Sequence, residues 1–249
     1  MKRLLASRIG PIYQFSRVFR VDETGRHHNP EFTMLEWYRP GLSLHDLMSE
    51  VAELIAELGV RAAAKRISYR DVVFDIAGVD PLQADCTQLR AALDRHRIAI
   101  PEALSSEEID DRDFWLDLIM GALVGPGLGQ DAPCFVYDYP ASQAALAQLH
   151  PVDPRVAERF ELYWRGVELA NGFHELSDAA EQRRRFEADR RWRQQRGRVA
   201  PPYDEYLLQA LEAGLPDCSG VALGFDRLVM LLLDLDSIGD AMAFDAERI

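Results

Sequence analysis

The fold is decided by the stretch Asn29-Pro30-Glu31-Phe32-Thr33-Met34-Leu35-Glu36-Trp37-Tyr38, which follows Phe19-Arg20-Val21-Asp22-Glu23 after a short polar turn. The pattern predicts a strand that ends in an arginine, a loop, and a returning strand that places Phe32, Met34, Glu36 and Tyr38 on one face. Such a face is costly to bury without a ligand, because an unpaired glutamate loses its hydration. A half-exposed strand with a salt bridge explains the stretch equally well.

Three glutamates, Glu161, Glu168 and Glu175, form a second group at intervals of seven residues, with Asn171 between the last two. The turn Arg165-Gly166 predicts a hairpin of strands 159–164 and 166–171. Carboxylates that converge on one cleft raise each other's pKa unless cations lie among them, and Mg²⁺ carrying ATP phosphates is a natural partner. Taken alone, a hairpin with acidic positions facing water is the more probable interpretation.

The third group is Gly220-x-Ala222-x-Gly224-x-Asp226-Arg227, which predicts a strand passing into an apolar helix. Small residues at alternate strand positions allow a ligand to lie close to the backbone, and an arginine at the helix start offers a planar cation to a triphosphate. The stretch is neither a Walker loop nor a dinucleotide fingerprint. For any one glycine, tight packing is the simpler explanation.

The rest of the chain predicts one domain, residues 1–249, with a mostly helical insertion at about 85–129. Ser43 and Ser68 are expected to cap helices, and residues 133–140 read as a strand. The segment Arg183–Arg198 carries eight arginines and is interpreted as a solvated helix face in preference to a nucleic-acid patch.

The composition excludes several classes of function. Lys+Arg 28 against Asp+Glu 41 gives a net charge of −13, which argues against a general nucleic-acid binder. The three cysteines are far apart and indicate free thiols in the reducing cytoplasm. No Cys/His spacing suggests zinc, and no apolar run is long enough to span a membrane.

Taken together, the three groups resemble the class II aminoacyl-tRNA synthetases, with Arg20–Tyr38 similar to their motif 2 and Gly220–Arg227 to their motif 3. Segments 28–33 and 168–176 are similar to the lysyl branch. Segments 25–40, 140–144 and 216–224 are closer still to lysyl-synthetase paralogues that modify elongation factor P. The resemblance covers essentially the whole chain and implies an α+β fold, an antiparallel β-sheet flanked by helices.

The resemblance also implies the chemistry, which is activation of a lysine-type amino acid by ATP and transfer of the acyl group to an acceptor. Arg20 and Arg227 would be catalytic. The implied ATP-binding residues are Arg20, Asp22, His28, Phe32, Glu161, Glu168, Gly224 and Arg227, with Glu161 and Glu168 holding Mg²⁺. The implied residues for lysine or (R)-β-lysine are Glu36, Tyr38, Asn171, Glu175 and Ala222, with Glu175 and Tyr38 at its terminal ammonium.

The acceptor expected from this resemblance is a lysine of elongation factor P, because no anticodon-binding barrel occurs in this chain. A lysyl-tRNA synthetase core acting on tRNA and an inactive synthetase-like binding protein are the alternatives. Asp22 stands where the family has glutamate. Motif 1 and a Thr-Ser-Pro-Glu segment would precede Met1, so we expect a truncated or misassigned start that lacks the family's homodimer interface.

Overall fold

The computed structural model describes residues 1–21, 23–101, 103–246 and 248, and seven strands in that part of the chain form one sheet. The order across the sheet is β1-β2-β7-β6-β5-β4-β3. The strands are β1 (Ile12–Phe19), β2 (Glu31–Pro40), β3 (Lys65–Ser68), β4 (Cys134–Pro140), β5 (Val156–Trp164), β6 (Val167–His174) and β7 (Cys218–Gly224).

The sheet confirms the predicted α+β class, and its pairs are antiparallel except for β3 with β4. The hairpins β1–β2 and β5–β6 are the two that the turn residues predict. Strand β7 comes last in the chain, yet it lies between β2 and β6. Because β7 lies between the two hairpins, the hairpins and the glycine-rich strand share one continuous sheet face.

Helices flank the sheet in the described part of the chain, and their ends follow the predicted caps. Ser43 accepts a hydrogen bond from the Asp46 amide at the start of α2, and Ser68 accepts one from Asp71 at the start of α3. The α-helices are α1 (Lys2–Ala6), α2 (Leu44–Glu57), α3 (Tyr69–Ala77), α4 (Cys86–Arg95), α5 (Ser106–Ile109), α6 (Arg112–Leu118), α7 (Ala179–Gln195), α8 (Glu205–Gly214) and α9 (Phe225–Leu232).

Two large apolar clusters hold these layers together. In the first, helices α2 and α9 cover one face of the central strands. Leu47 of α2, Leu228 of α9 and Leu223 of β7 belong to this buried cluster. In the second, buried residues of α3, α4, α6 and the π-helix Ile119–Val124 form one cluster with Cys134 and Val136 of β4, and the fully buried Trp115 of α6 belongs to it. The opposite face of β2, β7 and β6 is therefore free to carry a site.

The arginine-rich segment lies mainly on α7, and much of its charge is paired within the chain. Arg183 pairs with Glu205, Arg185 with Glu181, and Arg196 with Asp111. Helix α7 also packs through aromatic contacts, since the Phe186 ring stacks on Tyr203 with 5.9 Å between centroids. No helix of the described residues is both long and apolar enough to cross a membrane.

Candidate active site

A cavity opens on the exposed face of β2, β6 and β7, beneath the loop that joins β1 to β2. Polar and small residues from both hairpins, β7 and α9 meet here, although they are far apart in sequence. The lining residues are Arg20, Glu23, His27, His28, Asn29, Phe32, Met34, Glu168, Leu169, Ala170, Asn171, Ala222, Gly224, Asp226, Arg227 and Ile238.

The sheet register explains how the floor of this site is assembled. Glu36 on β2 pairs with Ala222 on β7, and Ala222 pairs with Asn171 on β6. Asn171 in turn pairs with Glu161 on β5. Paired residues of neighbouring strands lie on the same face of a sheet, about 5 Å apart. Four residues named from three separate sequence patterns therefore form one row across the sheet.

An irregularity in β6 determines where Glu168 lies. Leu162 pairs with Ala170, but the next residue, Tyr163, pairs with Glu168, so Leu169 is an extra residue at this point. Regular alternation would place Glu168 and Asn171 on opposite faces, and one extra residue reverses that alternation. The bulge thus places Glu168 on the face that carries Glu161 and Asn171.

Glu161 is held in a buried network of hydrogen bonds. Its Oε2 accepts hydrogen bonds from the hydroxyls of Tyr139 and Tyr163, each at 2.6 Å, and its Oε1 pairs with Arg159. Arg159 also lies over the Tyr139 ring, with 4.3 Å from its Cζ to the ring centroid. These contacts fix the orientation of the Glu161 carboxylate.

Glu168 lies beside this network without such support, since no side-chain hydrogen bond or ion pair of Glu168 is found among the described residues. Burial raises the pKa of the Glu168 carboxyl to about 7, and the neighbouring Glu161 charge contributes in the same direction. The nearby Arg227 and Arg159 guanidiniums oppose that shift. A partly compensated carboxylate pair of this kind attracts a cation.

The donor chemistry of this pair fits Mg²⁺. Magnesium prefers oxygen ligands and is usually held by one or two carboxylates, with substrate phosphates and water supplying the rest. Glu168 is available as such a ligand, and Glu161 retains one lone pair on Oε1. No group of three or more His, Cys, Asp or Glu side chains suited to a metal occurs in residues 1–21, 23–101, 103–246 and 248.

The other side of the cavity is cationic. Arg227 donates hydrogen bonds to the carbonyls of His27, at 3.0 Å, and Glu168, at 2.9 Å, which ties the β1–β2 loop to β6. Arg20 lies over the Phe32 ring, with its Cζ 5.3 Å from the centroid. Burial lowers the pKa of His28, and the Arg227 charge lowers it further. These shifts favour the neutral form of the His28 imidazole, which lies beside two guanidinium groups.

Glu175 lies at the far end of the sheet face, beyond the Glu36 row. It is 2% exposed and forms an ion pair with Lys2 of α1. The Tyr38 hydroxyl donates a 2.6 Å hydrogen bond to Glu36 Oε1. Burial, together with the charges of Glu175 and Glu36, raises the pKa of Tyr38. This end of the face holds two carboxylates, a phenol and an ammonium.

Most of the residues predicted from the sequence are brought together by this arrangement. Arg20, His28, Phe32, Glu168, Asn171, Ala222, Gly224 and Arg227 line the cavity, and Glu36 and Glu161 belong to the row across its floor. The three glutamates do not converge on one point, because Glu175 is paired with Lys2 and is not among the charges that act on Glu168. Asp22 lies outside the described residues.

Four residues near the site were not identified from the sequence, namely Lys2, Tyr139, Arg159 and Tyr163. Arg159 and Tyr163 flank Glu161 at intervals of two on β5, so strand alternation could have identified them. Tyr139 and Lys2 arrive from β4 and α1, whose positions depend on the tertiary fold.

The chain belongs to the class II tRNA synthetases (D, K and N), since the sequence model of that family matches residues 1–248. This confirms the resemblance at the level of the family. The chain is 53% identical over 251 residues to a Klebsiella pneumoniae (strain 342) protein named "Elongation factor P--(R)-beta-lysine ligase". Proteins of the same name from Enterobacter sp. (strain 638) and Salmonella typhi are also 53% identical, and each comparison covers 100% of this chain and 75% of the relative.

Proposed function

We propose that this protein activates (R)-β-lysine or lysine with ATP and transfers the resulting acyl group to a lysine of translation elongation factor P. The observation that supports this proposal is the charge distribution of the sheet face, which has Arg20 and Arg227 at one end and the carboxylates of Glu36 and Glu175 at the other. The first end suits a polyphosphate and the second an ammonium group. The names of the relatives supply the amino acid and the acceptor.

In the first step the substrate carboxylate attacks the α-phosphorus of ATP, and pyrophosphate leaves. Arg20 is assigned to the α-phosphate, where a fixed guanidinium stabilises charge that develops in the transition state. Phe32 and Arg227 are assigned to the two faces of adenine. Asp22 is assigned to its edge, and Gly224 gives the nucleotide access to the backbone. His28 is assigned to the triphosphate.

Mg²⁺ neutralises phosphate charge when bound, and Glu168 and Glu161 are the residues assigned to hold it. The Arg159 and tyrosine contacts of Glu161 keep its carboxylate oriented while Glu168 lies free beside it. The chain thereby provides one fixed and one adaptable carboxylate.

The amino acid is assigned to the opposite end of the face. Glu175 and Tyr38 receive the terminal ammonium, while Glu36, Asn171 and Ala222 shape the row beneath the reacting end. In the second step an acceptor amine attacks the acyl carbonyl, and AMP leaves. Both steps depend on alignment of the reactants, so no protein nucleophile is required.

The acceptor, the assembly and the location belong to the same proposal. The net charge of −13 disfavours tRNA as the acceptor and supports a protein. The resemblance suggests a homodimer, but the motif 1 interface that would form it is expected to be missing here. A cytoplasmic location is retained as a proposal.

The test is ATP–pyrophosphate exchange with α-lysine and with (R)-β-lysine, followed by transfer to purified elongation factor P or to tRNA. We expect exchange with at least one of these amino acids and labelled elongation factor P as the product. Charging of tRNA without a protein product would indicate the lysyl-tRNA synthetase alternative. Absence of exchange with both amino acids would indicate an inactive synthetase-like binding protein.

A further inference from the structure

A lysine of the protein itself reaches the amino-acid end of the sheet face. The Lys2 side chain is only 10% exposed, and its ammonium pairs with Glu175. Helix α1, which carries Lys2, is anchored by Leu5, a fully buried residue in a cluster with Tyr38, Leu211 and Cys218. Helix α1 is therefore held against the body of the protein, and its packing fixes Lys2 beside the buried Glu175.

The titratable groups around Glu175 come from four elements, α1, β2, β6 and β7. Lys2 approaches from α1, Glu36 and Tyr38 from β2, and the Cys218 thiol from β7. His174, the last residue of β6 and the neighbour of Glu175 in the chain, already contacts Glu158 and Asp217, at 2.5 and 2.6 Å. Two carboxylates, Glu36 and Glu175, thus face one ammonium, and the subsite has one negative charge left uncompensated.

We propose that Lys2 is a positioning residue that keeps Glu175 ionised and thereby sets the amino-acid subsite to accept one ammonium group. This inference rests on the proposed function. A carboxylate buried without a counter-ion takes up a proton, and a protonated Glu175 attracts a cationic side chain less strongly. With Lys2 present, a single substrate ammonium completes the charge balance, whereas a neutral side chain leaves a buried charge unpaired.

The direction of the pH effect follows from the neighbours of Glu175. Burial raises the pKa of the Glu175 carboxyl, and the Lys2 ammonium lowers it. Removing that ammonium raises the pKa of Glu175 further, so the protonated form gains weight as the pH falls. Binding of a lysine-type substrate then improves as the pH increases and Glu175 ionises.

The experiment compares Lys2→Met with the charge-retaining variant Lys2→Arg in ATP–pyrophosphate exchange between pH 6 and 8.5. For Lys2→Met we expect a KM for lysine about tenfold or more above that of the wild type at pH 6, with the ratio declining as the pH rises. The KM for ATP stays at the wild-type value, and Lys2→Arg retains the wild-type pH profile. A purely structural role would not produce a pH-dependent change confined to the lysine KM.

Two results would overturn the inference. One is a Lys2→Met variant whose lysine KM equals that of the wild type at every pH, and the other is a lower KM, which would mean that Lys2 competes with the substrate. If Lys2→Met does not fold, Lys2→Gln keeps a hydrogen-bond donor for Glu175 and takes its place. If the wild type supports no exchange, the proposed function fails, and calorimetric binding of lysine over the same pH range tests Lys2 separately.

Discussion

Gly220 on β7 pairs directly with Tyr38 on β2, and a β-carbon added at Gly220 would overlap the Tyr38 ring and lie 2.5 Å from Glu175 Oε1. The absent side chain at Gly220 therefore creates the space in which the phenol and the carboxylate lie together. Substitution at this position perturbs the amino-acid end of the site without touching the cationic end.

Gly220→Ala is expected to destabilise the fold by about 1–3 kcal/mol, because the added methyl forces Tyr38 and Glu175 to move. The KM for lysine should rise about tenfold or more, while the KM for ATP changes little. Urea denaturation and ATP–pyrophosphate exchange measure the two effects. Gly121→Ala is the matched control, since a β-carbon there meets nothing within 4 Å. Equal effects on the two KM values would contradict the separation of the two ends.

Glu168→Gln should separate stability from activity. The substitution removes a buried charge that is repelled by Glu161, so the metal-free variant should gain about 1–2 kcal/mol and melt roughly 2–8 °C higher than the wild type. Pyrophosphate exchange should fall at least about 100-fold, and Mg²⁺ with ATP should no longer raise the melting temperature.

The exposed Glu57 provides the control for that experiment, because Glu57→Gln removes one negative charge at the solvent-exposed end of α2. Differential scanning fluorimetry with and without Mg²⁺ and ATP gives the comparison. A Glu168→Gln variant less stable than the wild type without metal would show that the carboxylate pair is not repulsive.

Ala222 is the expected determinant of preference between the two lysine isomers. Its methyl group lies in the row between Glu36 and Asn171, where the reacting end of the amino acid is assigned. One methyl in a pocket changes discrimination by about 1–3 kcal/mol, or roughly 10–200-fold. Ala222→Gly should therefore shift the ratio of kcat/KM values from (R)-β-lysine toward α-lysine. A ratio equal to that of the wild type, measured with both isomers in parallel, would exclude this role.

His174 makes stability depend on pH. The Glu158 carboxylate, and then Asp217, raise the pKa of the imidazole to about 9. A raised histidine pKa contributes stability that is complete below the unfolded value of about 6.5 and is lost as the pH rises through about 9. His174→Asn should therefore cost about 2 kcal/mol at pH 6, a value reduced from the full shift because Asp217 is 72% exposed.

Urea denaturation at pH 6 and pH 10 measures this contribution, with the exposed His96→Asn as the control. The difference between His174→Asn and the wild type should shrink at the higher pH. A difference that stays constant across that range would show that the imidazole is not charged in the folded protein.

Local sequence patterns were sufficient to predict several elements of the fold. The hairpin that returns through Tyr38, the β5–β6 hairpin with its turn at Arg165, and the passage from β7 into α9 all depend on residues close together in the chain. Strand alternation and turn chemistry act over a few residues, so they can be recognised without knowledge of distant contacts.

The composition of the site was likewise visible in the sequence, but its geometry was not. Which carboxylate pairs with which cation depends on strand order and register, and these are set by long-range packing. A shift of one residue in register moves a side chain to the other face, so the extra residue Leu169 decides where Glu168 lies.

By itself, the sequence determined the strands other than β3, the caps of α2 and α3, and the family to which the chain belongs. Only the tertiary structure placed β7 between the two hairpins, aligned Glu36 with Ala222, Asn171 and Glu161, and brought Lys2 to Glu175. The physical reason is that these contacts join elements far apart in sequence. Their stability comes from burial and charge balance in the assembled protein, which no local pattern records.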